Sequence, residues 1–249
     1  TAGVRERPYA GVQVNLMGTV NVLEAARLTG VGRVVFCSSG SVYSGMPGGW
    51  KPGADEDFPL RAVSGRPKNL YAVCKLASEQ IGFTYHDLYG YDFVALRFGG
   101  VYGPWQGAMS GLPGRFVKKV VEPMIQGKPG EFDQAGAPGV ASGMARPLLN
   151  LAYCRDCSHG VVRAALAEGD VTGSYDIMSG EVSVPDFVDT VRRVLPGIEI
   201  HGLPEDAPGR GESPAAQLTA AGQKLGFTPQ FPLETALRDY VYWASKWLR

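Results

Sequence analysis

The sequence predicts an α/β protein: a partial doubly wound parallel sheet with a smaller carboxyl-terminal domain. Three observations carry that reading. Two short apolar runs, Arg33-Val-Val-Phe-Cys37 and Phe93-Val-Ala-Leu-Arg97, have the continuous character that a strand buried on both faces requires. Each follows a long stretch with apolar residues at helical spacing. Each ends in a turn rich in glycine or serine, so helices and strands alternate over short connections, as in a sheet wrapped by helices.

The elements follow in order. Residues 8–29 read as an amphipathic helix, with Val12, Leu16, Val20 and Leu23 at spacings of three and four. Gly30 is placed to end it in a left-handed cap. The first strand runs into a polar turn, Ser38-Ser39-Gly40-Ser41, and residues 45–70, with many Gly and Pro and the run Asp55-Glu56-Asp57, read as an irregular loop. A second helix spans about 71–89 and closes at Gly90; the second strand then ends in a turn from Gly99 to Pro104. Residues 105–148 are rich in Gly and Pro, with one helical stretch near 115–126. Leu151-Ala-Tyr153 reads as a strand end entering a helix at about 156–167, Ser174–Met178 as a strand, and Pro185–Val194 as a helix with proline near its first turn. A turn at Gly226–Pro229 and a helix from Leu233 to Leu248 close the chain. Residues 1–104 with about 150–180 are expected to form the sheet domain, and about 105–149 with 181–249 the second domain.

Composition narrows the classes. Of 249 residues, 45% are apolar and 19% charged, an ordinary globular balance. Lys plus Arg and Asp plus Glu both number 24, so no net positive field exists to hold nucleic acid. No apolar run approaches the roughly 18 to 20 residues of a membrane span. Residues 1–9 lack a signal-peptide core, so a cytoplasmic location is expected. Cys154-Arg-Asp-Cys157 has the spacing of a redox or zinc half-site, but no second close Cys or His pair accompanies it, so no metal is expected and the thiols read as structural.

Chemistry is concentrated in Tyr71-Ala-Val-Cys-Lys75, which sets a phenol and an ammonium one helical turn apart on one face. A phenol is a poor base at neutral pH, and a nearby cation favours its ionised form. Ser39 and Ser41, on the neighbouring strand end, could orient a substrate oxygen. The set suits proton transfer to or from an alcohol or carbonyl, the partner of a hydride transfer.

The ordered combination of Ser38-Ser39-Gly-Ser41-Val-Tyr43, Tyr71-x-x-x-Lys75 and Leu96-Arg97-Phe-Gly-Gly-Val-Tyr-Gly103-Pro104 resembles the extended short-chain dehydrogenase/reductase family of NAD-dependent epimerases and dehydratases. Asn15-Leu-Met-Gly18-Thr19-Val-Asn21 resembles that family's helix before the serine strand, and Leu225-Gly-Phe-Thr-Pro229 with Leu233-Glu-x-Ala-Leu237 its carboxyl-terminal substrate domain. The resemblance implies a Rossmann-like sheet, NAD or NADP as cofactor, and a sugar, sugar nucleotide or polyol as substrate. It implies Tyr71 as catalytic acid or base, Ser39 as catalytic serine, Lys75 as ligand of the nicotinamide ribose and depressor of the Tyr71 pKa, and Tyr71 and Asn15 beside the cofactor. Ser41 would be a secondary substrate contact. Gly100 stands where sugar-nucleotide members carry an Asn that contacts the diphosphate, which brings smaller polyols and sugar acids into view. Arg155-Asp156 falls where the family joins its substrate domain to the core. The family's Gly-rich cofactor turn and acidic ribose ligand are not among these residues, so the sheet is expected to be completed from beyond them. The resemblance also implies a homodimer paired through helices 8–29 and 71–89, which carry apolar residues such as Met17 and Ile81 on more than one face. The alternative is a non-catalytic relative acting as a binding or regulatory protein.

Overall fold

The computed structural model describes residues 2–45, 70–106, 112–132, 148–203 and 220–248. The loop expected over 45–70 and much of the Gly/Pro-rich stretch over 105–148 lie outside them. In chain order the described elements are helices α1 (Ala2–Glu6) and α2 (Pro8–Val12), a π-helical turn (Gln13–Met17), α3 (Gly18–Thr29), strand β1 (Arg33–Ser39), a 3-10 turn (Gly40–Gly45), α4 (Leu70–Tyr89), β2 (Asp92–Phe98) and β3 (Gly100–Tyr102). They continue with α5 (Leu112–Ile125), β4 (Gly130–Glu131), β5 (Leu148–Tyr153), α6 (Cys154–Leu166), β6 (Gly173–Ile177), β7 (Gly180–Ser183), α7 (Val184–Val194), β8 (Ile200–His201), α8 (Ala220–Leu225) and α9 (Leu233–Leu248). The chain divides into two compact units. One holds Thr1–Gly99, Ser158–Ile177 and Leu218–Thr228; the other holds Gly100–Cys157, Met178–Gln217 and Pro229–Arg249.

In the first unit β1, β2 and β6 form a parallel sheet in that order. Its register sets Ser39 beside Phe98 and Phe98 beside Ile177, so the three carboxyl ends finish level. Alternation along β2 feeds two apolar layers. Phe93 and Ala95 pack with Leu23 and Ala26 of α3, whereas Val94 and Leu96 pack with Ala164 of α6, Leu225 of α8 and Phe227. Helices therefore cover both faces, which is why the strand sequence carries no polar alternation. Burying each of the larger of these side chains is worth about 1.5–3 kcal/mol.

The helix expected over 8–29 is interrupted. Helical structure begins at Ala2, and Gln13–Met17 form a wide turn in which the Gly18 N–H bonds to Gln13 O. The Asn15 side chain donates to Gly11 O at 2.8 Å, occupying the carbonyl that an α-helical Asn15 N–H would face. Gly30 does end α3 in the left-handed conformation, at φ 69°, as its position suggested. Ile81 of α4 packs against the cluster of Leu23 and Phe93.

Two turns are also more ordered than expected. The first strand continues through Ser39, and residues 40–45 wind into the 3-10 turn. Within the expected turn over Gly99–Pro104, Gly100–Tyr102 form β3, paired in parallel with Leu151–Tyr153 of β5 in the second unit. A partner so distant in sequence leaves no local signature.

In that second unit β5 also pairs antiparallel with β7, and β4 with β8. Phe116 and Val120 of α5, Phe187 and Val191 of α7, and Leu237 and Tyr240 of α9 share one buried cluster with Leu149 and Leu151 of β5. Asp156, in the first turn of α6, is buried and accepts bonds from Ser179 Oγ at 2.7 Å and Gln230 N at 2.8 Å. Beside it, Arg155 bonds to Asp239 at 3.2 Å. Cys154 lies against Gly103, where an added Cβ would meet its sulfur. No helix among the described residues is long and apolar enough to cross a membrane.

Candidate active site

The first unit brings Ser39, Tyr71 and Lys75 together. Ser39 ends β1, and Tyr71 and Lys75 lie in the first two turns of α4. The Tyr71 phenol lies near enough to Ser39 for that side chain to favour its ionised form. Ser39 Oγ also accepts the Ser41 N–H at 3.2 Å, which ties its orientation to the 3-10 turn. Lys75 Nζ donates to Cys37 O at 2.7 Å and lies 4.6 Å from the Phe36 ring centroid and 5.7 Å from that of Tyr71. The Lys75 bond thus ties the helix face to β1.

Burial governs the ionisation of both groups. It pushes the Tyr71 phenol above its ordinary value, and the neighbouring Ser39 side chain opposes the shift only in part. It pushes the Lys75 ammonium down, against the fields of Cys37 and Glu79. The Lys75 ammonium is directed at the Cys37 carbonyl, and the groups that shift the phenol are Ser39 and Cys37 beside the effect of burial.

The other expected residues are placed differently. Asn15 turns its side chain onto its own helix; its carbonyl accepts Thr19 Oγ1 at 2.9 Å and Ser78 Oγ of α4 at 3.3 Å. That makes Asn15 a tie between the π-helical turn and the helix of Tyr71. Ser41 Oγ is buried with no hydrogen-bond partner among the described residues. Gly100 belongs to the second unit, in β3.

Sequence reasoning passed over a neighbouring polar group. Glu79, a turn beyond Lys75, pairs with Arg97 in the core, and Tyr43 bridges Arg97 to Asp176. Tyr43 and Arg97 had registered only as parts of the family motifs. A carboxylate among apolar positions of α4 and an arginine inside the apolar β2 run are the signals that could have found the pair.

A model of the NAD-dependent epimerase/dehydratase family matches residues 4–177. The chain belongs to that family. UDP-glucuronate 4-epimerase 1 of Arabidopsis thaliana is 31% identical over 97% of this family member, which spans 56% of that relative's length. The UDP-glucuronate 4-epimerase of Thermodesulfobacterium geofontis is 25% identical over 98% of the chain and 70% of its own length. Among solved structures, the UDP-glucose 4-epimerase of Thermus thermophilus in complex with NAD is 27% identical, with a TM-score of 0.66 over 98% of this chain and 73% of that one. The UDP-glucose 4-epimerase of Thermotoga maritima is 21% identical, with a TM-score of 0.73 over 100% of this chain and 74% of that one. The likeness supports the α/β fold of this family member.

Proposed function

We propose that this chain carries the proton-transfer site of an NAD- or NADP-dependent enzyme acting on a hydroxyl of a sugar nucleotide, sugar or related polyol, in an epimerisation, dehydration or dehydrogenation. The observation that carries the reading is the juxtaposition of Tyr71 with Ser39, whose side chain shifts the phenol's pKa, and with Lys75 one turn away. These groups stand at the carboxyl end of a parallel strand, where ligands of doubly wound sheets bind. Ser39 orients the substrate oxygen, and Tyr71 exchanges a proton with it, giving one to a carbonyl as the phenol or taking one from a hydroxyl as the phenolate. The cofactor, when bound, supplies the hydride acceptor. An ammonium has three N–H donors, and the Cys37 carbonyl engages one; the others suit the vicinal hydroxyls of a ribose. The unpartnered Ser41 Oγ suits a substrate hydroxyl.

The UDP-glucuronate 4-epimerases among the relatives favour a sugar nucleotide. With Gly100 in place of the family's Asn, the diphosphate contact then falls to other groups. Exposed apolar side chains along the π-helical turn, α3 and α4, Val14, Met17, Val22, Val73 and Leu88 among them, support a homodimer paired through these helices. A cytoplasmic setting accords with such a substrate. The test incubates the full protein with UDP-glucuronate, UDP-glucose or the free sugars and with NAD or NADP, following products by NMR. Turnover of a sugar nucleotide that is lost in Lys75→Met, together with weakened cofactor binding, supports the reading. Equal cofactor affinity and turnover in Lys75→Met contradict it.

A further inference from the structure

The face of α4 that carries Tyr71 and Lys75 continues to Glu79, one more turn along. Glu79 is completely buried, and its carboxylate gathers one residue from every strand of the first unit's sheet. Ser38 Oγ of β1 donates to Oε1. Arg97 of β2 donates through Nη2 to Oε2 at 2.7 Å and through Nε to Oε1 at 3.1 Å. Ser174 Oγ of β6 lies 3.4 Å from Oε2. The network then returns to the end of β1: Arg97 Nη1 donates to the Tyr43 hydroxyl at 2.7 Å, which donates to Asp176 at 3.0 Å. Tyr43 stands in the 3-10 turn that follows Ser39.

A buried ion pair contributes little stability compared with well-packed apolar side chains of the same volume, because both charges lose their hydration. What this one provides is position. Apolar packing tolerates sliding of a helix on a sheet, whereas a carboxylate bonded to β1, β2 and β6 together admits one axial placement of α4. We propose that Glu79, held by Arg97, is a positioning residue that sets Tyr71 and Lys75 against the end of β1. The inference rests on the reading of Tyr71 and Lys75 as the reacting site. Electrostatics agree with it. Burial drives the Lys75 ammonium down, and Glu79 is among the groups that oppose this. The groups facing Lys75 are Cys37 of β1 and, on its own helix, Tyr71, Cys74 and Glu79.

The test uses the full protein with Glu79→Gln and with the double variant Glu79→Leu/Arg97→Met. The single variant leaves Arg97 buried without its counter-charge; the double variant removes both charges and keeps an apolar core. Two quantities are read: the titration of the Lys75 side chain by lysine-selective NMR, and the pH profiles of kcat and KM. In the double variant the Lys75 midpoint should fall below that of the parent. Its kcat should fall by about ten- to a hundred-fold, the scale of small misplacements of reacting groups, with KM within about twofold. A double variant that folds and matches the parent in either the Lys75 midpoint or kcat overturns the proposal. The titration requires neither substrate nor cofactor, so it judges Glu79 even if the assignment of Tyr71 fails in its own activity test.

Discussion

Gly82→Ala tests the packing that seats α4. Gly82 lies inside a 20-residue helix, where replacing glycine by alanine is worth up to about 1 kcal/mol of helix propensity. Here a Cβ would meet three carbons of the Phe93 ring head-on. That ring cannot retreat. It is fully buried, stacked on Phe36 at 5.9 Å between centroids, and met edge-on by Phe83 at 5.3 Å. Overpacking of this kind costs about 1–3 kcal/mol, and direct contact on three ring atoms places this case near the top of the range. Subtracting the propensity gain leaves a net loss of about 2 kcal/mol. Urea denaturation should show a lower midpoint at unchanged slope. Gly82→Ala combined with Phe93→Leu should recover part of the loss, because the smaller side chain frees the space. A Gly82→Ala protein as stable as the parent, or more so, would refute the close approach of α4 to β2.

Three further outcomes are expected. Ser183 caps α7 by accepting the Asp186 N–H at 3.2 Å, so Ser183→Ala should lower stability by about 1 kcal/mol in urea denaturation. Tyr71 has a folded-state pKa raised by burial, so its neutral form contributes stability that is present below the ordinary phenol value of about 10 and lost as the pH rises through the folded value. Tyr71→Phe should therefore lose less stability than the parent on alkaline titration followed by circular dichroism, whereas the lowered Lys75 contributes in the opposite sense in both proteins. Ser39→Ala removes the hydroxyl beside Tyr71 but leaves the phenol, so its steady-state kcat should fall less than that of Tyr71→Phe.

The elements visible in sequence are those with local causes. The helix at Leu233–Leu248 has its expected bounds because its apolar stripe and the turn that precedes it are local in the sequence. Strand β2 was legible because double-sided burial demands an unbroken apolar run; β1 carries the same kind of run but is only half-buried among the described residues. The break at Gln13–Met17 was not, since it depends on the Asn15 side chain bonding Gly11 O, which periodicity does not encode. Strand β3 was missed because its partner β5 comes much later in the chain. In the site, Tyr71 and Lys75 announced themselves through spacing on one helix. Glu79 did not, because Ser38, Arg97 and Ser174 reach it from three separate strands, and only the folded sheet assembles them.

The central claim is that Tyr71 carries the proton, and kcat of Tyr71→Phe on the turned-over substrate tests it most directly. The substitution removes a hydroxyl and keeps the ring, so folding and cofactor binding should survive. General acid–base catalysis is typically worth about 10² to 10⁴-fold, and kcat should fall by that amount. A Tyr71→Phe enzyme retaining more than about half of the parent's kcat would contradict the assignment.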